Sequence, residues 1–213
     1  TIIVDDNSNI KNLNLIRNVI DGKNIDIINL DHSKYQNKIS EQKNKETFAN
    51  LASLLQSFEI GKDANEDLIF FIEDDYLHFE TMLEEMVSSY ERIASQMNKD
   101  IFMCPSDYPY LYMNNTKTNV LIGNKRHWRT VDRTLCTFMT TKSLLNKYWD
   151  NFYKNCLERH DPFEKYLNEI YSKEICISPL KSLSLHLTNI NSSYGLSPLI
   201  DYKKLWEENK IND

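Results

Sequence analysis

Three short apolar runs in the first half of the chain end in carboxylates. Ile2-Ile3-Val4 leads into Asp5-Asp6, Ile25 to Leu30 into Asp31, and Leu68 to Ile72 into Glu73-Asp74-Asp75. A single acid after a strand is by default a turn former or a helix cap. Three of them at the strand ends of one sheet mean more, because ligands of open α/β sheets bind beyond the carboxyl ends of the strands. Carboxylates gathered there repel one another unless a cation or a set of donors offsets them. The triplet is the sharpest case. Alternate residues leaving a strand share a face, so Glu73 and Asp75 can point the same way. Two carboxylates so placed suit a hard, oxygen-seeking ion such as Mg²⁺ or Mn²⁺. The competing role is to cap a helix starting near His78.

The glycines sharpen this reading. Gly22, Gly61, Gly123 and Gly195 are the only ones, and they lie far apart. They build neither a GxGxxG turn nor a P-loop, which speaks against a Rossmann dehydrogenase and a P-loop NTPase. A diphosphate bound here would need a metal to do what glycine-loop amides do elsewhere.

Other residues could complete such a site. In Ser182-Leu183-Ser184-Leu185-His186-Leu187 the leucines alternate with polar residues, so His186 faces away from them. An imidazole there could complete the coordination of an ion such as Mn²⁺, or be an ordinary hydrogen-bonded surface histidine. Asp161, in Arg159-His160-Asp161-Pro162-Phe163-Glu164, reads as an N-cap with Pro162 at the first helical position. Its alternative is a carboxylate facing a reacting hydroxyl as general base or anchor. Lys125 to Arg129, with Arg133 nearby, is the dense basic cluster. Arg129 and its neighbours could contact phosphates or a glycan, with Trp128 stacking on a sugar, or could form a solvated loop. Asp107, just after a strand, could bind sugar hydroxyls.

The elements that must position these residues follow from periodicity. Strands are expected at Ile2–Val4, Ile25–Leu30, Leu68–Ile72 and Ile101–Cys104. Helices between them are marked by Ile10 to Ile20, Phe48 to Phe58 and Phe79 to Met97, the last keeping three-four spacing throughout. A polar loop is expected from His32 to Lys45. This β-α-β-α-β-α-β order predicts an α/β fold with a central mixed, mostly parallel sheet of six or more strands flanked by helices. In the second half, strands are expected near Asn119–Ile122, Thr134–Thr140, Ile175–Ile177 and Ser182–Leu187. Helices are expected near Lys142–Cys156, Pro162–Tyr171 and Tyr202–Glu208. One domain is the simplest account, with a nucleotide-binding half (1–104) and an acceptor-binding half (105–213).

Composition sets the outer bounds. The chain has 213 residues, a 41% apolar fraction and a formal charge of −6. That acidity argues against nucleic acid as a partner. No apolar stretch is long enough to span a bilayer. The N-terminus has no basic region before its apolar run, so it does not read as a secretory signal, and the lack of an initiator Met suggests a piece of a larger protein. Cys104, Cys136, Cys156 and Cys176 form no CxxC and sit in apolar surroundings, so reduced core thiols and a cytoplasmic setting are expected.

Taken together, Phe70-Phe71-Ile72-Glu73-Asp74-Asp75, Asp31, Asp161 and His186 resemble the GT-A glycosyltransferase superfamily, which has a Rossmann-type nucleotide-binding half and an acidic DxD motif after a strand. Over its full length the chain also resembles the glycosyltransferase domain that opens a large multidomain protein of chlorella viruses. The resemblance implies a UDP-sugar donor (glucose- or rhamnose-like), Mn²⁺ or Mg²⁺, and a glycan or glycoprotein acceptor, such as a viral capsid glycoprotein in the host cytoplasm. Retention of anomeric configuration is compatible with it. It implies that Asp31 and the Asp5-Asp6 turn meet the uracil and ribose. Glu73 and Asp75, with Asp74 between them and His186, would hold the ion across both phosphates. Asp161 would stand beside the acceptor. A metal-dependent nucleotidyltransferase or nucleotide-sugar hydrolase could use the same acidic edge, and a carbohydrate-binding module would leave it unexplained.

Overall fold

The computed structural model describes residues 1–40, 44–113, 115–188, 190–193, 195 and 200–209. In chain order the first elements are β1 (Ile2–Asp5), α1 (Ile10–Ile20), β2 (Asp26–Asn29), α2 (His32–Tyr35), α3 (Lys45–Asp63) and β3 (Leu68–Phe71). Next come β4 (Tyr76–His78), α4 (Met82–Met97), β5 (Phe102–Met103), a 3-10 turn at Pro109–Tyr112, β6 (Val120–Ile122) and β7 (His127–Val131). The last are β8 (Phe138–Thr141), α5 (Lys142–Lys147), α6 (Trp149–Asn155), α7 (Lys165–Tyr171), β9 (Cys176–Pro179), β10 (Ser184–His186) and α8 (Tyr202–Asn209). They form two compact units, Thr1–Asn65 with Tyr148–Tyr166, and Glu66–Lys147 with Leu167–Asp213.

In the first unit β1 and β2 pair in parallel, Ile3 opposite Ile27, with α1 between them in sequence. Asn9 starts α1 by accepting the Asn12 N–H, which supplies a partner for one of the orphan donors at the helix start. The expected apolar face of α1 is present, yet none of its residues is buried. α3 carries Phe48, Leu51, Ala52, Leu55 and Phe58 into the core, and Phe58 meets Phe152 of α6 edge-on at 5.1 Å. The segment expected to be a plain loop from His32 to Lys45 contains α2 and two fully packed side chains, Tyr35 and Ile39. Two apolar residues in a polar run carry no period, so sequence pattern misses them. Residues 41–43 of that run lie outside the described residues.

The second unit holds a six-stranded mixed sheet in the order β3-β8-β5-β9-β7-β6, with helices in the same α/β unit. The expectation of a mostly parallel sheet needs correction, since only β5 and β9 pair in parallel within it. The cause is β8. It inserts between β3 and β5 and runs antiparallel to both. β3 and β5 therefore still point the same way, as a strand-helix-strand unit through α4 requires, but they are not neighbours. A further two-stranded ribbon pairs β10 antiparallel with β4.

The core of this unit is a cluster of Met86 and Ile93 from α4 with Ile101, Met103, Trp128, Met139, Ile177 and Leu183. The expected strands at 68–72, 101–104, 119–122 and 175–177 are present, and the expected 134–140 strand is β8, starting later. The expected helix over 142–156 is interrupted at Tyr148, whose backbone (φ −108°, ψ 22°) leaves the helical range. All four cysteines are buried and none forms a disulfide.

The β6–β7 hairpin is tied to α4 by one buried carboxylate. Glu85 accepts the Lys125 N–H (2.9 and 3.1 Å to its two oxygens) and the Ser89 hydroxyl (2.9 Å). Trp128 Nε1 donates to Ser89 Oγ at 3.0 Å in the same knot. Gly123 stands where a Cβ would come within 2.4 Å of the Trp128 ring, so the hairpin admits no side chain there.

Candidate functional site

The acidic triplet leaves β3 and leads within one residue into β4. Because β4 pairs with β10, Tyr76 lies opposite His186, and Asp75 is brought to the same imidazole. Asp75 Oδ2 and His186 Nε2 stand 2.9 Å apart. The register is closed by the Leu187 N–H, which donates to the Asp75 carbonyl at 2.8 Å. The Tyr76 ring packs on the His186 ring with centroids 4.9 Å apart, and its hydroxyl shares a 2.6 Å hydrogen bond with Tyr108. Burial is the largest influence on the Asp75 carboxyl and raises its pKa. Hydrogen bonds from His186 and Thr188 outweigh it, and the carboxyl ends below its ordinary value. Burial, and next to it the Glu73 charge, push the Tyr76 phenol far above its ordinary pKa, so it stays neutral.

Glu73 takes a different path. Its carboxylate accepts from the Thr137 hydroxyl (3.1 Å), and that same oxygen accepts the Glu73 N–H (3.0 Å). Asp74 is exposed. Among the described residues no group of three or more His, Cys, Asp or Glu side chains is gathered closely enough to hold a metal ion. The pair itself is compatible with one. Adjacent ligands on an octahedral ion at about 2.1 Å stand about 3 Å apart, close to the 2.9 Å between Asp75 and His186. Mg²⁺-type ions commonly take only one or two protein ligands and fill the remaining positions with water and substrate phosphates.

In the first unit Asp5 and Asp6 follow β1, and Asp31 follows β2. Asp5 is buried and accepts the Ser8 N–H at 3.2 Å. Asp6 pairs with His32, whose ring lies against Phe48 at 5.7 Å. Asp31 caps α2, accepting the Ser33 N–H (3.0 Å) and hydroxyl (2.6 Å). The Ser33 hydroxyl is the main reason the Asp31 carboxyl sits below its ordinary pKa. These acids therefore gather at the carboxyl ends of two parallel strands, where α/β ligands bind. His32 joins them without any motif in the sequence that announces it.

Asp161 does not have the expected capping role. The chain first turns through a Lys165 N–H to Pro162 carbonyl bond (3.2 Å), and α7 begins only at Lys165. Asp161 is exposed, and its peptide bond to Pro162 is cis.

The basic cluster divides between a turn and a strand: Lys125 and Arg126 lie in the β6–β7 turn, with Lys125 exposed, and His127 to Arg129 open β7. Trp128 is fully buried in the core, so it cannot stack on a ligand. Arg129 forms a buried ion pair with Asp107 at 2.8 Å, and its guanidinium lies 3.9 Å from the Tyr112 ring centroid. Tyr112 in turn donates its hydroxyl to the other Asp107 oxygen at 2.6 Å. Asp107 and Arg129 thus neutralise each other, a pairing invisible in a sequence where they are 22 positions apart.

Sequence reasoning missed β4, which orients the site, and β7, which holds the Arg129–Asp107 pair. Tyr76-Leu77-His78 is too short to show a period, and β7 buries Trp128 and Arg129 in succession, so it has no alternation to read. No helix among the described residues is long and apolar enough to cross a membrane. No model of a known protein family matches the chain, and no curated protein matches it.

Proposed function

We propose that this chain is a metal-dependent glycosyltransferase of GT-A architecture, moving a glucose- or rhamnose-like sugar from a UDP-sugar to a glycan acceptor. The observation that carries the reading is the Asp75–His186 pair, a carboxylate and an imidazole 2.9 Å apart just past the end of β3. A carboxylate beside an imidazole suits a borderline divalent ion such as Mn²⁺, whereas Mg²⁺ would be held by the carboxylate, water and phosphate oxygens. When bound, such an ion supplies Lewis-acid stabilisation of the charge that develops on the departing diphosphate.

Asp75 and His186 are the two side chains that would hold that ion. The Asp75 carboxyl lies below its ordinary pKa and the Tyr76 ring rests against His186; a bound ion would replace the proton now shared between Asp75 Oδ2 and His186 Nε2. Glu73, held by the Thr137 hydroxyl, would add negative charge to the site. Within the first unit, Asp6 and Asp31 are the exposed carboxylates that would suit nucleoside hydroxyls and a base edge, with Asp5 shaping their turn.

Calorimetric titration of UDP in the presence and absence of Mn²⁺ tests the reading. Wild-type protein should bind UDP only with the ion, and Asp75→Ala and His186→Ala should lose that dependence together with the binding. Equal UDP affinity in Asp75→Ala and wild type would remove the basis of the assignment.

A further inference from the structure

Beside the buried Arg129–Asp107 pair lies an open cleft of about 180 Å³, lined by Leu111, Tyr112, Thr118, Arg129, Thr130 and Asp132, with Thr116 also at its wall. We propose that this cleft is a subsite for one neutral sugar ring of the acceptor glycan, with Tyr112 as its platform. The word acceptor rests on the transferase reading above, whereas the sugar-binding chemistry does not.

Size comes first. Pockets for drug-sized ligands begin at about 300 Å³, so a cleft of about 180 Å³ holds a single small ring and is too small for a nucleotide-sugar. Charge comes second. Arg129 is neutralised by Asp107 and Asp132 by Arg133 (2.9 Å), so the lining carries no net charge that would select an anion. Chemistry comes third. Threonine hydroxyls both donate and accept, as a polyol does. Thr118 donates to the Thr130 carbonyl at 2.7 Å, which fixes its hydroxyl at the rim and leaves its lone pairs as acceptors. The Asp132 carboxylate adds acceptors for sugar hydroxyls.

The platform is pre-built. The Arg129 guanidinium lies against the Tyr112 ring, and the Tyr112 hydroxyl is fixed on Asp107, yet the residue remains 54% exposed. A ring locked at both ends and still open to solvent loses little freedom when the apolar C–H face of a sugar settles on it. Arg129 Nε has no hydrogen-bond partner among the described residues, so the guanidinium behind the platform is one acceptor short.

Position links the cleft to the Asp75–His186 pair. Leu111, from the cleft lining, belongs to a buried cluster with Tyr76 and Tyr108, and Val131 packs against it. Tyr76 is the residue whose ring rests on His186. One layer of side chains therefore joins the acceptor cleft to the residues proposed to hold the donor's metal.

The test is saturation-transfer NMR with methyl glycosides of glucose, mannose, rhamnose and xylose, without nucleotide and with EDTA present, on wild type, Tyr112→Ala, Tyr112→Phe and Thr118→Val. At least one glycoside should receive saturation from the wild type. Tyr112→Phe should keep the effect, and Tyr112→Ala should weaken binding by roughly tenfold or more. Thr118 is exposed, so Thr118→Val keeps the fold and should weaken binding without abolishing the platform. No transfer to any glycoside, or equal transfer in wild type and folded Tyr112→Ala, overturns the proposal. UDP titration on the same samples separates the two ideas. Glycoside binding without Mn²⁺-dependent UDP binding leaves the cleft and removes the transferase, and the reverse outcome removes the cleft alone.

Discussion

Glu85 is the perturbation with the clearest magnitude. Only 1% of the residue is exposed, and its carboxylate holds the Lys125 N–H and the Ser89 hydroxyl at 2.9–3.1 Å. The Trp128 indole N–H is a third, longer contact at 3.4 Å. A hydrogen bond to a charged group contributes about 1.5–3 kcal/mol, and a buried donor left without an acceptor loses its desolvation energy as well. Two such bonds vanish in Glu85→Ala, which should therefore destabilise the second unit by about 3–5 kcal/mol. For a chain of this length that is a fall in Tm of roughly 6–20 °C. Glu85→Gln keeps the shape but turns one acceptor into a donor, so its loss should be about half as large. Trp128 is fully buried against this carboxylate, so its fluorescence reports the transition in thermal or urea unfolding. If Glu85→Ala and Glu85→Gln both unfold within about 0.5 kcal/mol of wild type, the anchoring role is wrong.

Two other outcomes follow from the same kind of geometry. Arg129→Met alone leaves the Asp107 charge buried and should destabilise by about 3–5 kcal/mol, whereas the double change Arg129→Met/Asp107→Leu should recover most of that loss in urea unfolding. Burial, and then the hydrogen bond to Glu59, raise the Tyr35 phenol to about 12. Its folded-state value exceeds the ordinary value near 10, so its contribution is complete below about pH 10 and is lost as pH rises through about 12. Wild type should therefore lose stability across that window relative to Tyr35→Phe, and parallel alkaline unfolding curves for the two would contradict the assignment.

The sequence is legible where a residue's role is set by its own strand or helix. The apolar run before Glu73 became β3 and the 182–187 segment became β10, although Ser182 and Ser184, on the face of His186, are as buried as Leu183 and Leu185. Helix α4 appears because its three-four spacing persists over four turns. What pattern cannot carry is pairing between distant segments. Nothing local says that β8 separates β3 from β5, and the parallel-sheet expectation failed at that point. Nothing local says that Arg129 is cancelled by Asp107, so a basic cluster resembled a phosphate contact. Asp161-Pro162 matched a helix start by residue type, but the chain turned once more before the helix formed.

Asp75 and His186 come from strands separated by roughly a hundred residues of chain, and contacts of that span close late because the intervening loop must first be ordered. Glu73 and its partner Thr137 are likewise 64 positions apart. A nascent chain ending before β10 already contains all six strands of the sheet and the acidic triplet but lacks the imidazole. Under the metal reading proposed above, the ion could be gripped only after β10 has been synthesised.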